Sequence, residues 1–182
     1  MAQRKSTVDE AYPGDIVGLP DTGGVFKIGD TLTEGEQLHF RGLPSFSPEL
    51  FKYIENDDPM KAKQFQKGLE QLMNEGVAQL FINQFNNRKI VGTVGQLQFE
   101  VIQYRLEHEY NAKCRWEPVH LHKACWIEAE NAEALENFKK RKYQYMAKDT
   151  EGRDVFLADS GYVLSMAQQD FEDIKFHFTS EF

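Results

Sequence analysis

Cysteine is scarce in this chain: Cys114 and Cys125 are the two present among 182 residues. At most one disulfide could form, so a disulfide-stapled scaffold is excluded and the usage fits a reducing compartment. No apolar run approaches the ~18 residues of a membrane-spanning helix. Arg4 and Lys5 are followed by no apolar stretch, so no signal peptide is expected and the expected location is cytoplasmic. Positive charge is also short, with 21 Lys+Arg against 29 Asp+Glu and a formal net charge of −8. That balance argues against a non-specific nucleic-acid binder, which needs a net positive field, but it leaves room for a local basic patch. What is present is globular: 41% hydrophobic and 13% aromatic residues at a length that hides roughly 70% of the unfolded surface.

Catalytic signatures are missing as well. Gly92-Thr93-Val94-Gly95 stands between a strand and a helix, where backbone amides can hold an anion. It fits neither phosphate-loop spacing, and no lysine follows within reach. The simpler reading is a tight turn with close helix–sheet approach. Lys5-Ser6 lacks the preceding glycines. Cys114, His120, His122 and Cys125 are of metal-ligand type, but C-x5-H-x-H-x2-C is no common zinc spacing. Buried structural thiols are the commoner fate of such cysteines. Glu107/Glu109 and Glu128/Glu130 read as solvated charge, and Ser160-Gly161 lacks the glycines of a nucleophile elbow. This chain is therefore expected to hold no catalytic, cofactor-binding or metal-binding residues and not to be an enzyme by itself.

The texture changes along the chain. Up to about residue 44, the short runs Gly14–Leu19, Val25–Ile28 and Gln37–Phe40 alternate with Gly, Pro and Asp turns, which predicts short strands. From Ser45 strands alternate with helices. An extended stretch falls within Phe46–Ile54, and Asp58 as N-cap with Pro59 at the first helical position opens a helix. Phe65, Leu69, Leu72 and Met73 give that helix one apolar face, and Gly76 stops it. Strands follow at Val77–Ile82 and Ile90–Val94, joined by the polar turn Asn83–Arg88. A helix runs from Gln96 to about Tyr110 with Phe99, Ile102, Leu106 and Tyr110 inward and Asn111 at its stop. The strand Lys113–Val119 then puts Cys114 and Trp116 on one face.

Strand, helix, strand, strand, helix, strand is the split βαβ order of ferredoxin-like domains, so the fold class is α+β. Beyond it the pattern predicts strand Ala124–Ala129, helix Asn131 to about Met146, strand Val155–Ala158, helix Tyr162–Phe171 and strand Ile174–Thr179. No internal repeat is visible, and this tail reads as a C-terminal α/β extension of the same layered core.

The basic run Lys139-Lys140-Arg141-Lys142, followed by Tyr143 and Tyr145, has two readings. Cations interleaved with aromatics suit a phosphate backbone and stacked bases. Alternatively Glu133 and Glu136 early and lysines late simply complement the helix dipole.

Several segments resemble the C-terminal part of the bacterial peptide-chain release factor three family, translational GTPases. They are Ala11–Ile16 with Ile28–Thr31, Pro48–Phe51, Lys67–Leu69, Glu75-Gly76, Val94–Glu100, Glu109–Asn111, Glu117–Val119 and Tyr162–Gln169. Val94–Glu100 and Glu117-Pro118-Val119 are the most specific; Gly14–Thr31 is shared widely by second domains of translational GTPases. The resemblance implies that residues 1–44 are the last strands of a β-barrel second domain and 45–182 the third domain. It implies a protein whose GTP form binds the ribosome and drives off the class I release factor. GTP and Mg would belong to a GTPase domain whose motifs have no counterpart here. Implied partners are the small ribosomal subunit, functionally the class I release factors, and the protein's own GTPase domain, with no membrane. Lys139, Lys140, Arg141, Lys142 and Tyr143 gain weight as a ribosome or RNA contact. The rivals are the equivalent piece of another translational GTPase such as elongation factor G, a small Cys/His metal protein, and a stand-alone RNA-binding module.

Overall fold

The computed structural model describes residues 7–20, 30–36, 38 and 47–179. The first half builds the expected unit from β1 (Leu50–Asn56), α1 (Ala62–Asn74), β2 (Gln79–Asn83), β3 (Lys89–Thr93), α2 (Gln96–Tyr110) and β4 (Cys114–Pro118). Its strands lie in the order β4-β1-β3-β2, all antiparallel. Asp58 does cap, its carboxylate accepting from Met60 N at 2.9 Å. The turn it caps is 3₁₀ (Pro59–Lys61), so α1 begins at Ala62, one short turn later than expected. Phe65, Leu69, Leu72 and Met73 are all buried, as their spacing requires. α2 packs on α1 at Gly68, where an added Cβ would lie 2.6 Å from Tyr110 Cγ. Asn111, in the left-handed region at φ 52, ends α2.

The second half comprises β5 (Lys123–Ala129), α3 (Ala132–Arg141), β6 (Met146–Lys148), β7 (Asp154–Ala158), α4 (Gly161–Asp170) and β8 (Ile174–His177). This is the same order of elements, and its strands lie β6-β7-β5-β8, the first unit's arrangement read backwards. The tail thus repeats the split βαβ plan although no sequence repeat announces it. The units join edge to edge through β2 and β6, by Ile82↔Lys148 and Asn83↔Ala147, into one eight-stranded sheet.

The helix expected from Asn131 to about Met146 is shorter than its apolar spacing suggests. α3 stops at Arg141, a 3₁₀ turn covers Tyr143–Tyr145, and Met146 starts a strand. Met146 sits eight positions after Phe138, so it continues the helical apolar spacing. Its neighbour Ala147 is equally buried but on the other face, and that alternation belongs to a strand.

Strand residues sort cleanly by parity into two faces. Ile54, Leu80 and Val91 meet α1 and α2 in one core, which Cys114 and Trp116 flank together as expected. Cys125, Ile127, Phe156 and Ala158 meet α3 and α4 in a second core. The alternate residues, Phe51, Phe81 and Ile90 from one unit and Ala124, Trp126, Val155 and Leu157 from the other, form a third. The sheet therefore folds over at β2–β6, its two inner faces pack on each other, and helices cover both outsides. Phe81 and Trp126 stand 6.2 Å apart in the middle of that layer. Ser47 N donates to Phe178 O at 2.8 Å and Ser47 Oγ accepts from Ala124 N at 3.3 Å, tying the units at the opposite side.

At the N-terminal side, the strand expected at Gly14–Leu19 does not form among the described residues; the local order is a turn in which Asp15 N donates to Tyr12 O. Strands are held by their neighbours, and this run has none among the described residues. Val25–Ile28, and all of Gln37–Phe40 but Leu38, lie outside the described residues.

Candidate nucleic-acid interface

α3 is set by its ends. Asn131 caps it, accepting from Glu133 N at 2.8 Å, and Lys139, Lys140 and Arg141 occupy its last turn. The basic run divides into unlike members. Lys139 turns inward, its Nζ 2.6 Å from Glu136 and 3.3 Å from Asp154. The hydrogen bond to Glu136, against partial burial and with help from Asp154, raises its pKa. Its charge is thus neutralised within the fold. Lys140 is exposed and makes no ion pair among the described residues. Arg141 and Lys142 each lie 5.8 Å from the Phe171 ring, which packs edge-on against the buried Phe138. That anchorage leaves their charges at the surface. The helix-dipole reading accounts for the placement of the run; it does not consume the cations at 140–142.

Tyr143 is exposed, and its hydroxyl donates to Gln84 O at 2.8 Å. Through this bond the basic end of α3 touches the β2–β3 turn. Phe85 at that turn faces Tyr143 edge-on, with ring centroids 6.0 Å apart. Sequence reasoning misses Phe85. Its signal there is a lone aromatic inside Asn83–Arg88, a segment otherwise polar.

Elsewhere several positions of candidate chemistry are otherwise engaged. Gln98 Oε1 accepts from Val94 N and Gly95 N at 2.9 and 3.0 Å, so the amides that could cradle a phosphate are occupied by α2's own capping side chain. Gly92 is a packing glycine, since a Cβ there would sit 2.4 Å from Pro48 Cγ. Cys114 and Cys125 face different cores on opposite outsides of the molecule and cannot share an ion. Burial pushes their thiols up to about 11 and about 12 respectively. Among the described residues no group of three or more His, Cys, Asp and Glu could hold a metal ion. None of the described helices is long and apolar enough to cross a membrane.

A depression of about 390 Å³ lined by Asn56, Phe65, Arg88 and Lys89 has its cations already engaged. Arg88 lies over Tyr53 and pairs with Glu55 and Glu117, while Lys89 lies over Phe65. A different surface is left bare. Val94, Leu97, Val101 and Tyr104 form an exposed apolar stripe on the outer side of α2, with His108 stacked on Tyr104 at 4.0 Å.

Comparison with known proteins adds three findings. Residues 1–35 match elongation factor G domain 2. A crystal structure of ttk003000868 from Thermus thermophilus is 15% identical, with a TM-score of 0.39, over 57% of this chain and 17% of that one. This chain thus spans less than a fifth of that protein. Residues 40–168 match the class II release factor RF3, C-terminal domain. The chain belongs to that family and carries the C-terminal region of release factor RF3, a translational GTPase.

Proposed function

We propose that this chain is the ribosome-facing, conformationally coupled module of the GTP-dependent factor that removes class I release factors from the ribosome at termination. The match of residues 40–168 to the RF3 C-terminal domain carries this reading. In it, residues 1–44 complete a β-barrel second domain and 45–182 form the third. The two family matches support that division, one ending at residue 35 and the other starting at 40. GTP and Mg are held by the GTPase domain of the whole protein, and this chain contributes binding and coupling instead of chemistry. Its partners are the small ribosomal subunit, the class I release factors functionally, and that GTPase domain, all in the cytoplasm.

Two surfaces support such a role: the cationic end of α3 beside Tyr143, and the bare apolar stripe of α2, which begins in the Val94–Glu100 segment. An elongation factor G origin is supported by 35 residues alone. The test is co-sedimentation with ribosomes at rising salt, alongside a nucleotide-binding assay. The chain is expected to pellet with small subunits and to show no GTP affinity. Failure to pellet, or micromolar GTP binding, would sink the proposal. Stoichiometric zinc in protein purified without chelator would favour the metal-protein rival.

A further inference from the structure

Phe85 is 64% exposed and Tyr143 51%, yet neither ring is loosely held. Asn83 Oδ1 accepts from Phe85 N at 2.8 Å and from Asn86 N at 3.2 Å, and Asn87 N returns to Asn83 O at 2.9 Å with Asn87 at φ 56. From the other unit, Met146 O accepts from Gln84 N at 2.8 Å and the Tyr143 hydroxyl donates to Gln84 O. The turn is clamped along its length, so Phe85 is presented at the surface by a rigid support and loses little backbone entropy on contact. No core needs it there. The two ring planes stand at 76°, so they cannot both stack on one planar group; one offers a face and the other a wall.

What surrounds the pair selects the ligand. Lys140, Arg141 and Lys142 directly precede Tyr143 in the chain, and the polar Asn86 and Asn87 directly follow Phe85. Exposed rings next to a run of cations suit a nucleotide chain, which supplies both halves, a π-face for the rings and phosphates for the cations. We infer that Phe85 and Tyr143 form a stacking platform for an unpaired RNA base, with Lys140 and Arg141 holding the flanking phosphates. This rests on the ribosome-facing reading above and names the chemistry that such a face recognises. Paired bases are excluded, because an A-form duplex buries their faces and admits side chains poorly to its deep groove. The chain's charge of −8 confines the contact to this patch, so recognition is local and not a general affinity for RNA.

Fluorescence anisotropy of the whole chain with a short labelled single-stranded RNA, and with that RNA annealed to its complement, tests the platform. The single strand should bind better than the duplex. Phe85→Leu keeps bulk and hydrophobicity but removes the π-face, and should weaken single-strand binding about tenfold with an unchanged salt slope. Phe85→Trp should restore it. Lys140→Glu with Arg141→Glu should weaken binding and flatten the salt slope. Both sites are exposed, so unchanged melting temperatures will show that the variants fold. The platform is refuted by wild-type affinity in Phe85→Leu, by preference for the duplex, or by no single-strand binding at micromolar protein. If Phe85→Leu is silent while the charge-reversed variant still fails to pellet with ribosomes, the platform falls and the ribosome-facing reading stands. If the wild-type chain does not pellet, that reading falls with it.

Discussion

The indole N–H of Trp126 donates to the carboxylate of Asp149 at 2.9 Å, inside the layer where the two inner sheet faces meet. The same carboxylate accepts from Arg153 Nε at 2.7 Å and from the backbone N–H groups of Glu151 and Arg153. One buried acid therefore satisfies the polar atom of the largest buried side chain and closes the loop between β6 and β7. Asp149→Ala removes every one of these bonds and strands the indole N–H. Its expected cost is about 2–3 kcal/mol, read by urea unfolding followed by tryptophan fluorescence. Asp149→Asn, which keeps an acceptor for the indole, should cost about half as much. Equal stability of wild type and Asp149→Ala would remove this anchor from the account.

Gly92 tests whether the Gly92–Gly95 segment is packing or ligand loop. Pro48 already fills the space a methyl would need, with Cγ at 2.4 Å and Cβ at 2.8 Å from the added atom. Both atoms belong to a ring closed onto its own backbone and cannot swing away, so Gly92→Ala should destabilise by roughly 1–3 kcal/mol. Gly95→Ala meets nothing within 4 Å and should cost under about 1 kcal/mol, the difference between glycine and alanine as an N-cap. Thermal melts of the two variants side by side would decide; equal losses would contradict the packing role.

How much of this is legible in the sequence varies with the range of the forces involved. α2 can be read to its ends because its stops are local: Gly95 at the cap, Gln98 reaching back, Asn111 able to turn left-handed. Met146 misleads because its distance from Phe138 suits a helix, and only pairing with β7 and contact with β2's edge reveal a strand. The second split βαβ unit is invisible as a repeat because topology resides in the order of elements, which dissimilar residues can share. The site behaves likewise. Lys139 looks equal to its neighbours; Glu136, three residues earlier, pairs with it locally, but its second partner Asp154 is fifteen residues away and brought close only by β7. Phe85 looks like part of a polar turn, and its meaning depends on Tyr143, supplied by the other unit.

Acid should loosen the outer ion pairs in a defined direction. Arg115, opposed by partial burial and aided by Arg88, holds the Glu55 carboxyl below its ordinary value of 4.5, and Arg105 does the same for Glu109. A carboxylate with a depressed folded-state pKa stabilises the fold above the unfolded value and loses that contribution as pH falls through the folded one. The effect is thus present at neutral pH and disappears as pH drops below about 4.5. Melting temperatures between neutral pH and pH ~3 should fall less steeply at the acid end for Glu55→Gln with Glu109→Gln than for wild type. Salt should narrow the gap, since both pairs are exposed. Parallel curves would show that neither pair matters.

The thiols offer an independent check on the two outer cores. With pKa values pushed up to about 11 and about 12 by burial, Cys114 and Cys125 carry almost no thiolate at neutral pH. A disulfide reagent should modify the native chain slowly, Cys114 before the fully buried Cys125. The Cys114 rate should climb about tenfold per pH unit through pH 8 to 10 without levelling. Denaturant should make both react at once. A plateau near pH 8, or equal native rates, would mean that one core is open to solvent.

The basic run should separate into a structural and a binding part when its members are changed singly. Lys139 is paired with Glu136 and with Asp154, whose side chain is 15% exposed. Lys139→Ala leaves Asp154 with Lys148 as its remaining partner, and should lower stability by about 1 kcal/mol or less. It should leave ribosome association and its salt slope nearly unchanged, because two carboxylates already neutralise that charge. Lys140→Glu with Arg141→Glu should do the reverse. Both residues are exposed and make no ion pair among the described residues, so the melting temperature should change little. Ribosome association should weaken, and the magnitude of the salt slope should drop by about two, one for each phosphate that a cation no longer neutralises. Co-sedimentation across a salt series, paired with thermal melts, reads both axes. If Lys139→Ala weakens association as much as the double reversal does, the inward position of Lys139 does not describe the bound state, and the whole run acts as one cationic patch.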